Sequence, residues 1–225
     1  MHGKNPARPI ISGEGNTLYI QEIFATFQGE GLFAGTPAVF IRLGGCNLSC
    51  DFCDAEFESY KEMLLEKIIE DVRKLSHNSN GDRCKHLVVI TGGEPLRQPI
   101  ENLCQTLIAD DFKVQIETNG TIFRNLPDDV HIICSPKNLG AGYKRIRKDL
   151  LPKIDSFKFI ISATDPLYKN VTDVGQTEYN IPVYIQPMDE YDEDKNKENM
   201  NYVKDLAMEN NYIVSIQLQK IVGVK

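Results

Sequence analysis

The 225-residue sequence predicts an α/β fold built as a partial, open parallel β/α barrel. Three observations carry this. Short apolar runs alternate with helix-length segments, the pattern of parallel strands joined by crossover helices. Several runs, such as Leu87-Val88-Val89-Ile90, are apolar without a break, as strands covered on both faces must be. The chain is also shorter than the ~250 residues of a complete eight-fold barrel, so the barrel should be open.

The elements follow in order. Glu22–Gly31 reads as a strand running into a Gly-rich turn, and Ala38–Leu43 as the first core strand. Tyr60–Leu75 carries a helical stripe at Leu64, Leu65, Ile68, Ile69, Val72 and Leu75, with Ser59 and Glu62 spaced for a capping box. His77–Arg83 is a turn-rich connection. Strands are expected at His86–Ile90, Lys113–Glu117, Val130–Cys134, Phe157–Ile161, Pro182–Ile185 and Tyr212–Gln217, and helices at Ile100–Ala109, Lys144–Leu151 and Asn199–Asn210. Asp189–Asn201, rich in Asp, Glu, Lys and Asn, reads as a solvated loop running into the last helix. The whole is read as one domain over residues 1–225, with 1–17 a flexible N-terminal extension.

Bulk properties exclude several roles. A net charge of −7 offers no broad basic field, so no nucleic-acid partner is expected. Met1–Arg8 is polar and lacks the apolar core of a secretory signal. Apolar runs are strand-length, so no membrane span is expected and the chain reads as cytoplasmic. In a reducing compartment the six cysteines should not form a disulfide framework. Cys84, Cys104 and Cys134 lie scattered in apolar segments and read as core or near-core thiols.

The unusual polar groups recur just after the strands. Gly44–Cys53 follows the first core strand, Thr91-Gly92-Gly93-Glu94-Pro95 the second, and Glu117-Thr118-Asn119-Gly120 ends the third. Ser135-Pro136-Lys137 and Gln186-Pro187-Met188 follow later ones. Carboxyl ends of parallel strands line the site in such folds, so these motifs should share one mouth.

Cys46-x-x-x-Cys50-x-x-Cys53 places three thiolates on one short loop. Soft sulfur ligands suit zinc, copper(I) or iron–sulfur. A structural zinc site wants four closed ligands, and the nearest further candidates, His77 and Cys84, lie beyond the expected helix. An electron carrier likewise closes its cluster with four thiolates. Three thiolates on a four-iron cubane leave one iron open to a reacting ligand. Unliganded buried thiols are the remaining reading.

The Cys motif, with Phe52 in its aromatic place, resembles the signature of the radical S-adenosylmethionine superfamily, and Gly92-Gly93-Glu94-Pro95 resembles that superfamily's methionine-binding motif. The resemblance covers roughly Leu18 onward and implies a radical-SAM-type partial barrel. It implies a [4Fe-4S] cluster whose open iron chelates S-adenosylmethionine, and one-electron cleavage of the sulfonium to give a hydrogen-abstracting radical.

Within the superfamily, Phe24-Ala25-Thr26-Phe27-Gln28-Gly29-Glu30-Gly31 is similar to a motif of the 7-carboxy-7-deazaguanine synthases. On its own the stretch reads equally as a polar turn that needs its glycines. Arg42 four residues before Cys46, Cys53-Asp54, Ser135-Pro136-Lys137, Lys158, Gln186-Pro187-Met188 and Gln217-Leu218-Gln219-Lys220 agree with that family. The implied reaction is a radical ring contraction of 6-carboxy-5,6,7,8-tetrahydropterin to 7-carboxy-7-deazaguanine and ammonia, a lyase step toward queuosine and other deazapurines.

The resemblance implies the following roles. Cys46, Cys50 and Cys53 hold the cluster, and Phe52, Gly92, Gly93, Glu94, Glu117, Ser135, Lys137 and Gln186 touch S-adenosylmethionine. Gln28, Glu30, Gly31, Arg42, Thr91 and Lys220 touch the pterin, with Arg42 on its carboxylate. An ordinary ion pair is the plainer reading of Arg42. No side chain is assigned as catalytic, because the radical arises on the cofactor. A flavodoxin- or ferredoxin-type reductant and a homodimer are implied as partners.

Two positions depart from the family pattern. Ala55 stands where a hydroxyl helps hold Mg²⁺, so magnesium binding should be weakened. Gln219 stands where His is frequent and cannot carry charge. Two alternative functions compete: a glycyl-radical-enzyme activase, which gives no reason for the Gln28–Gly31 stretch, and a non-enzymatic iron–sulfur or zinc protein.

Overall fold

The computed structural model of the chain describes residues 5–50, 53 and 55–224. Its elements in order are β1 (Thr17–Phe27), β2 (Pro37–Leu43), β3 (Lys61–Leu64), α1 (Leu65–Ser76), β4 (Leu87–Gly92), α2 (Glu101–Ala109), β5 (Lys113–Thr118), β6 (Val130–Cys134), β7 (Ile154–Ile161), α3 (Gln176–Tyr179), β8 (Val183–Pro187), α4 (Glu193–Asn210), β9 (Ile213–Val214) and α5 (Leu218–Val222). They form one sheet ordered β3-β1-β2-β4-β5-β6-β7-β8-β9. From β2 through β9 neighbours run parallel, while β1 pairs antiparallel with β2 and β3. β3 and β9 end the sheet without pairing to each other, so the expected open, partial barrel is the fold, with an antiparallel margin.

Alternation along the strands sorts the side chains into two layers. Val39, Ile41, Val88, Ile90, Val114, Ile116, Phe157 and Phe159 belong to the large core under the helices. Residues of the opposite parity face the barrel interior. There Ala38, Leu87 and Val89 pack with Phe33 and Phe40 as a small apolar plug. Phe33 also meets His131 edge-on at 5.0 Å and lies 4.9 Å from the Lys113 ammonium. The plug closes the floor of the cavity.

Five local expectations are corrected. Tyr60–Leu75 is not one helix. Lys61–Leu64 is β3, in register with Thr17–Ile20, and the helix starts at Leu65, whose N–H donates to Asn16 O at 2.9 Å. The margin of β1 takes a partner there, and the Ser59–Glu62 capping box does not form: Leu64 is the cap. Lys144–Leu151 is not helical. Its Ile146 N–H donates to Val174 O at 2.9 Å, and only Leu151–Lys153 closes a 3₁₀ turn. Asp189–Asn201 is mostly helix, since Asp192 caps α4 by accepting from the N–H groups of Asp194 and Lys195 at 3.1 Å each. The last strand shrinks to Ile213–Val214. Cys104 and Cys134 are buried as expected, but Cys84 is exposed. It sits at the end of the turn-rich connection, where its N–H donates to Ser76 O at 2.9 Å.

Of the extension expected over residues 1–17, residues 5–9 run beside the cysteine loop. Ala7 pairs with Cys46, and the Arg8 N–H donates to Cys46 O at 2.6 Å. Buried Arg97 ties the two together, donating to Pro9 O and Gly44 O at 2.9 Å each.

Candidate active site

Two residues further along, each inward row carries a polar or charged side chain. Phe40 gives way to Arg42 on β2, Val89 to Thr91 on β4, and Ile133 to Ser135 just past β6. Gln115 is followed by Glu117 on β5, Ser156 by Lys158 on β7, and Tyr184 by Gln186 on β8. These six second-row residues line one cavity of about 500 Å³. Gln28 and Glu30 from the β1 turn, Gly92 at the end of β4 with Gly93 just beyond it, Lys137, and Lys220 on α5 join them. So do Cys46, Cys50 and Cys53. Phe52 and Asp54 lie outside the described residues.

The donor set fits an iron–sulfur cluster. Among the described residues, no three His, Cys, Asp or Glu side chains converge on a single ion. Instead three thiols of one short loop face a common space, as a polynuclear group needs. Cys46 Sγ accepts from the Leu48 N–H at 3.4 Å and from Asn119 Nδ2 at 3.9 Å, contacts of the kind that tune cluster sulfurs. Burial pushes the Cys46 thiol up to about 12, and the Glu94 carboxylate with the other two thiols adds to it. Bound iron would hold it as the thiolate.

Gly93 shows why the second motif needs its glycines. A Cβ there would lie 2.1 Å from Gly45 O and 2.8 Å from Cys46 N, so the β4 turn presses directly on the cysteine loop. Glu94 stands behind the cavity wall. It is wholly buried and is not among the cavity-lining residues. Its carboxylate accepts from Leu96 N–H at 3.0 Å, the Thr118 hydroxyl at 2.6 Å and Asn119 N–H at 2.7 Å. It thus pins the ends of β4 and β5 from behind. Burial pushes its carboxyl up despite these donors.

The opposite wall is a network of carboxylates and amides. Lys158 bridges Glu30 Oε2 at 2.5 Å and Glu117 Oε2 at 3.3 Å. Gln28 donates to Glu117 Oε1 at 3.0 Å and accepts from the Glu30 N–H at 3.1 Å. Gln217 and Gln219 donate to Glu30 Oε1 at 3.0 and 3.1 Å. Burial pushes the Glu30 carboxyl up, but Lys158 and the two amides outweigh it and bring it down to about 2. Burial pulls the Lys158 ammonium down, while Glu117 and Glu30 hold it above the ordinary lysine range. Gly31 does not line the cavity; it turns at φ +64° and its N–H donates to Ser215 Oγ at 3.0 Å.

Two cations stand at the rim with carboxylate partners. Arg42 Nε donates to Glu22 at 2.8 Å, its cross-strand neighbour. Lys220 pairs with Asp189, which also lines the cavity. Lys137 Nζ donates to Ser135 Oγ at 2.7 Å. The sequence named Lys158 and Asn119 without a role, and it missed Gln115 and Asn5. Gln115 was legible as an inward position of β5. Asn5 reaches the cavity wall only through the fold, donating to Ala55 O at 3.2 Å.

A partial parallel barrel with three thiols at its mouth, beside a Gly-Gly turn, defines a radical S-adenosylmethionine enzyme, and the pattern of the Radical SAM superfamily matches residues 40–139. Such an enzyme holds a [4Fe-4S] cluster and S-adenosylmethionine. The chain is 52% identical over 225 residues to a 7-carboxy-7-deazaguanine synthase of Rickettsia prowazekii, covering all of this chain and 96% of that protein. It is 42% identical over 208 residues to one from Rhodospirillum rubrum, covering 85% and 83% of the two chains. The crystal structure of QueE from Escherichia coli superposes with a TM-score of 0.70 at 26% identity, over 90% of this chain and 94% of that one. The chain belongs to the 7-carboxy-7-deazaguanine synthase family. No helix among the described residues is long and apolar enough to cross a membrane.

Proposed function

We propose that the chain converts 6-carboxy-5,6,7,8-tetrahydropterin to 7-carboxy-7-deazaguanine and ammonia, a redox-neutral loss of NH₃ with ring contraction. The carrying observation is one cavity that joins three cluster thiols to the Gln28–Glu30 turn, Arg42 and Thr91. When bound, the cluster and S-adenosylmethionine supply hydrogen abstraction by a carbon-centred radical.

The residues divide the remaining work. Glu30, held ionised, is an acceptor for the amine and ring N–H edge of a pterin, and the Gln28 amide offers both a donor and an acceptor beside it. The Arg42 guanidinium keeps its Nε on Glu22 and presents its charge to the substrate carboxylate. Lys220 leaves Asp189 to serve the same anion. Glu117, Ser135, Lys137 and Gln186 line the space toward the cysteine loop, where S-adenosylmethionine binds, and the Gly93 backbone borders it. Phe33 and its plug keep water from entering through the floor.

Magnesium is the weakest fit. Ala55 brings no side-chain oxygen, and its carbonyl already accepts from Asn5. Any Mg²⁺ rests on substrate oxygens, water or Asp54. A flavodoxin- or ferredoxin-type donor, a homodimer and a cytoplasmic location complete the proposal, with queuosine or another deazapurine downstream.

The test is anaerobic reconstitution with S-adenosylmethionine, reductant and 6-carboxytetrahydropterin, with and without Mg²⁺. We expect 7-carboxy-7-deazaguanine in both, with little dependence on the metal. Release of 5′-deoxyadenosine without any deazapurine would overturn the substrate assignment and leave the cluster standing.

A further inference from the structure

The four groups on the cavity's second wall close a ring. Lys158 Nζ donates to Glu30 and to Glu117, Gln28 Nε2 donates to Glu117, and the Glu30 N–H donates back to Gln28 Oε1. The ring joins three parts of the chain: the turn after β1, β5 and β7. Its cation is nearly inaccessible, with 7% of the Lys158 side chain exposed against 14% for Glu30 and 20% for Glu117. Two carboxylates share one ammonium, so the ring carries a net negative charge in a poorly hydrated wall.

The sharing is uneven. The Lys158 contact is 2.5 Å to Glu30 and 3.3 Å to Glu117. Glu117 also accepts at Oε1 from Gln28 and from Gln115, the latter at 3.1 Å. A ligand donor arriving at Glu117 Oε2 competes there with Lys158, while the two amides hold Oε1. The ammonium then serves Glu30 undivided. Glu30 is held more firmly in the orientation that Gln217 and Gln219 already favour, and the next ligand meets a fixed acceptor.

We propose that Lys158 is a positioning residue that couples the two ligand sites, so that S-adenosylmethionine at Glu117 and the pterin at Glu30 each tighten the other's binding. This rests on the functional reading above, which puts one ligand at each carboxylate. Coupling between two sites is reciprocal, so either ligand can be titrated.

The experiment is isothermal titration of the cluster-loaded protein with S-adenosylmethionine, anaerobically and without reductant, so that nothing turns over. It is run with and without saturating 6-carboxytetrahydropterin. Wild type should show Kd falling about fivefold or more, the size usual for coupled sites. An unchanged Kd overturns the proposal. In Lys158→Gln, checked for folding by circular dichroism, each ligand is titrated alone and then with the other saturating, and whatever the single-ligand Kd values, the factor between them should fall to about one; a wild-type factor there also overturns it. Should that variant not fold, Lys158→Arg replaces it: the planar cation cannot reach both carboxylates in the same geometry, so an unaltered factor counts against the role. Failure of the pterin to bind while S-adenosylmethionine binds removes the substrate reading and this coupling together.

Discussion

Arg42 and Glu30 carry the residue-scale expectations. Arg42→Ala should raise KM for the pterin by about 10- to 100-fold, since hydrogen bonds to charged groups are worth ~1.5–3 kcal/mol. The change in kcat should be smaller, because the contact is made in the ground state too. Glu30 makes a pH prediction. Its folded value of about 2 lies below its ordinary 4.5, so the stability it contributes is present above 4.5 and lost as pH falls toward 2. Thermal melts between pH 6 and about pH 2 should fall less steeply for Glu30→Gln than for wild type; equal slopes would show that the Lys158 pair contributes nothing. The sequence made Gln28, Glu30, Arg42 and the cysteines legible, because each stands in a motif. Lys158 was harder to place. It lies between Phe157 and Phe159 in an apolar strand, and nothing local says that its two partners come from β5 and the β1 turn. The partners of Glu94 were equally hidden: its carboxylate accepts from the Leu96 and Asn119 N–H groups and the Thr118 hydroxyl, which only the fold brings together.

At the scale of elements, the β4 turn and the cysteine loop behave as one unit. Gly93→Ala drives a methyl into the Gly45 carbonyl and the Cys46 nitrogen, neither of which can rotate away. It should cost about 1–3 kcal/mol, as overpacking does, and lower the iron retained after reconstitution. Iron and sulfide assay beside a denaturant melt would check both; full iron retention would show that the loop yields. Most strands were legible because doubly covered parallel strands are continuous apolar runs. β3 was not, since Lys61–Leu64 has a helical stripe and becomes a strand only by completing the margin of β1. Lys144–Leu151 failed likewise: Ile146, Leu150 and Leu151 have helical spacing, but Ile146 is claimed by Val174.

For the whole molecule, the open barrel sets an apolar floor beneath a polar second row, and the chemistry stands at one end. The N-terminal segment is part of that end. Deleting residues 1–12 removes the Arg8 and Pro9 bonds to Cys46 and Arg97, and should make the reconstituted cluster lose iron in air faster, read by its visible absorption. The alternation along β7 has its own consequence. Phe157 and Phe159 feed the helix-covered core while Lys158 feeds the cavity. The strand is a two-state code, and only parity tells one side from the other. A single inserted or deleted residue before Lys158 would exchange a phenyl ring for the ammonium in both compartments at once. Chimeras between this chain and its relatives can therefore change length freely in the loops. Within a strand, their crossover points must conserve odd and even.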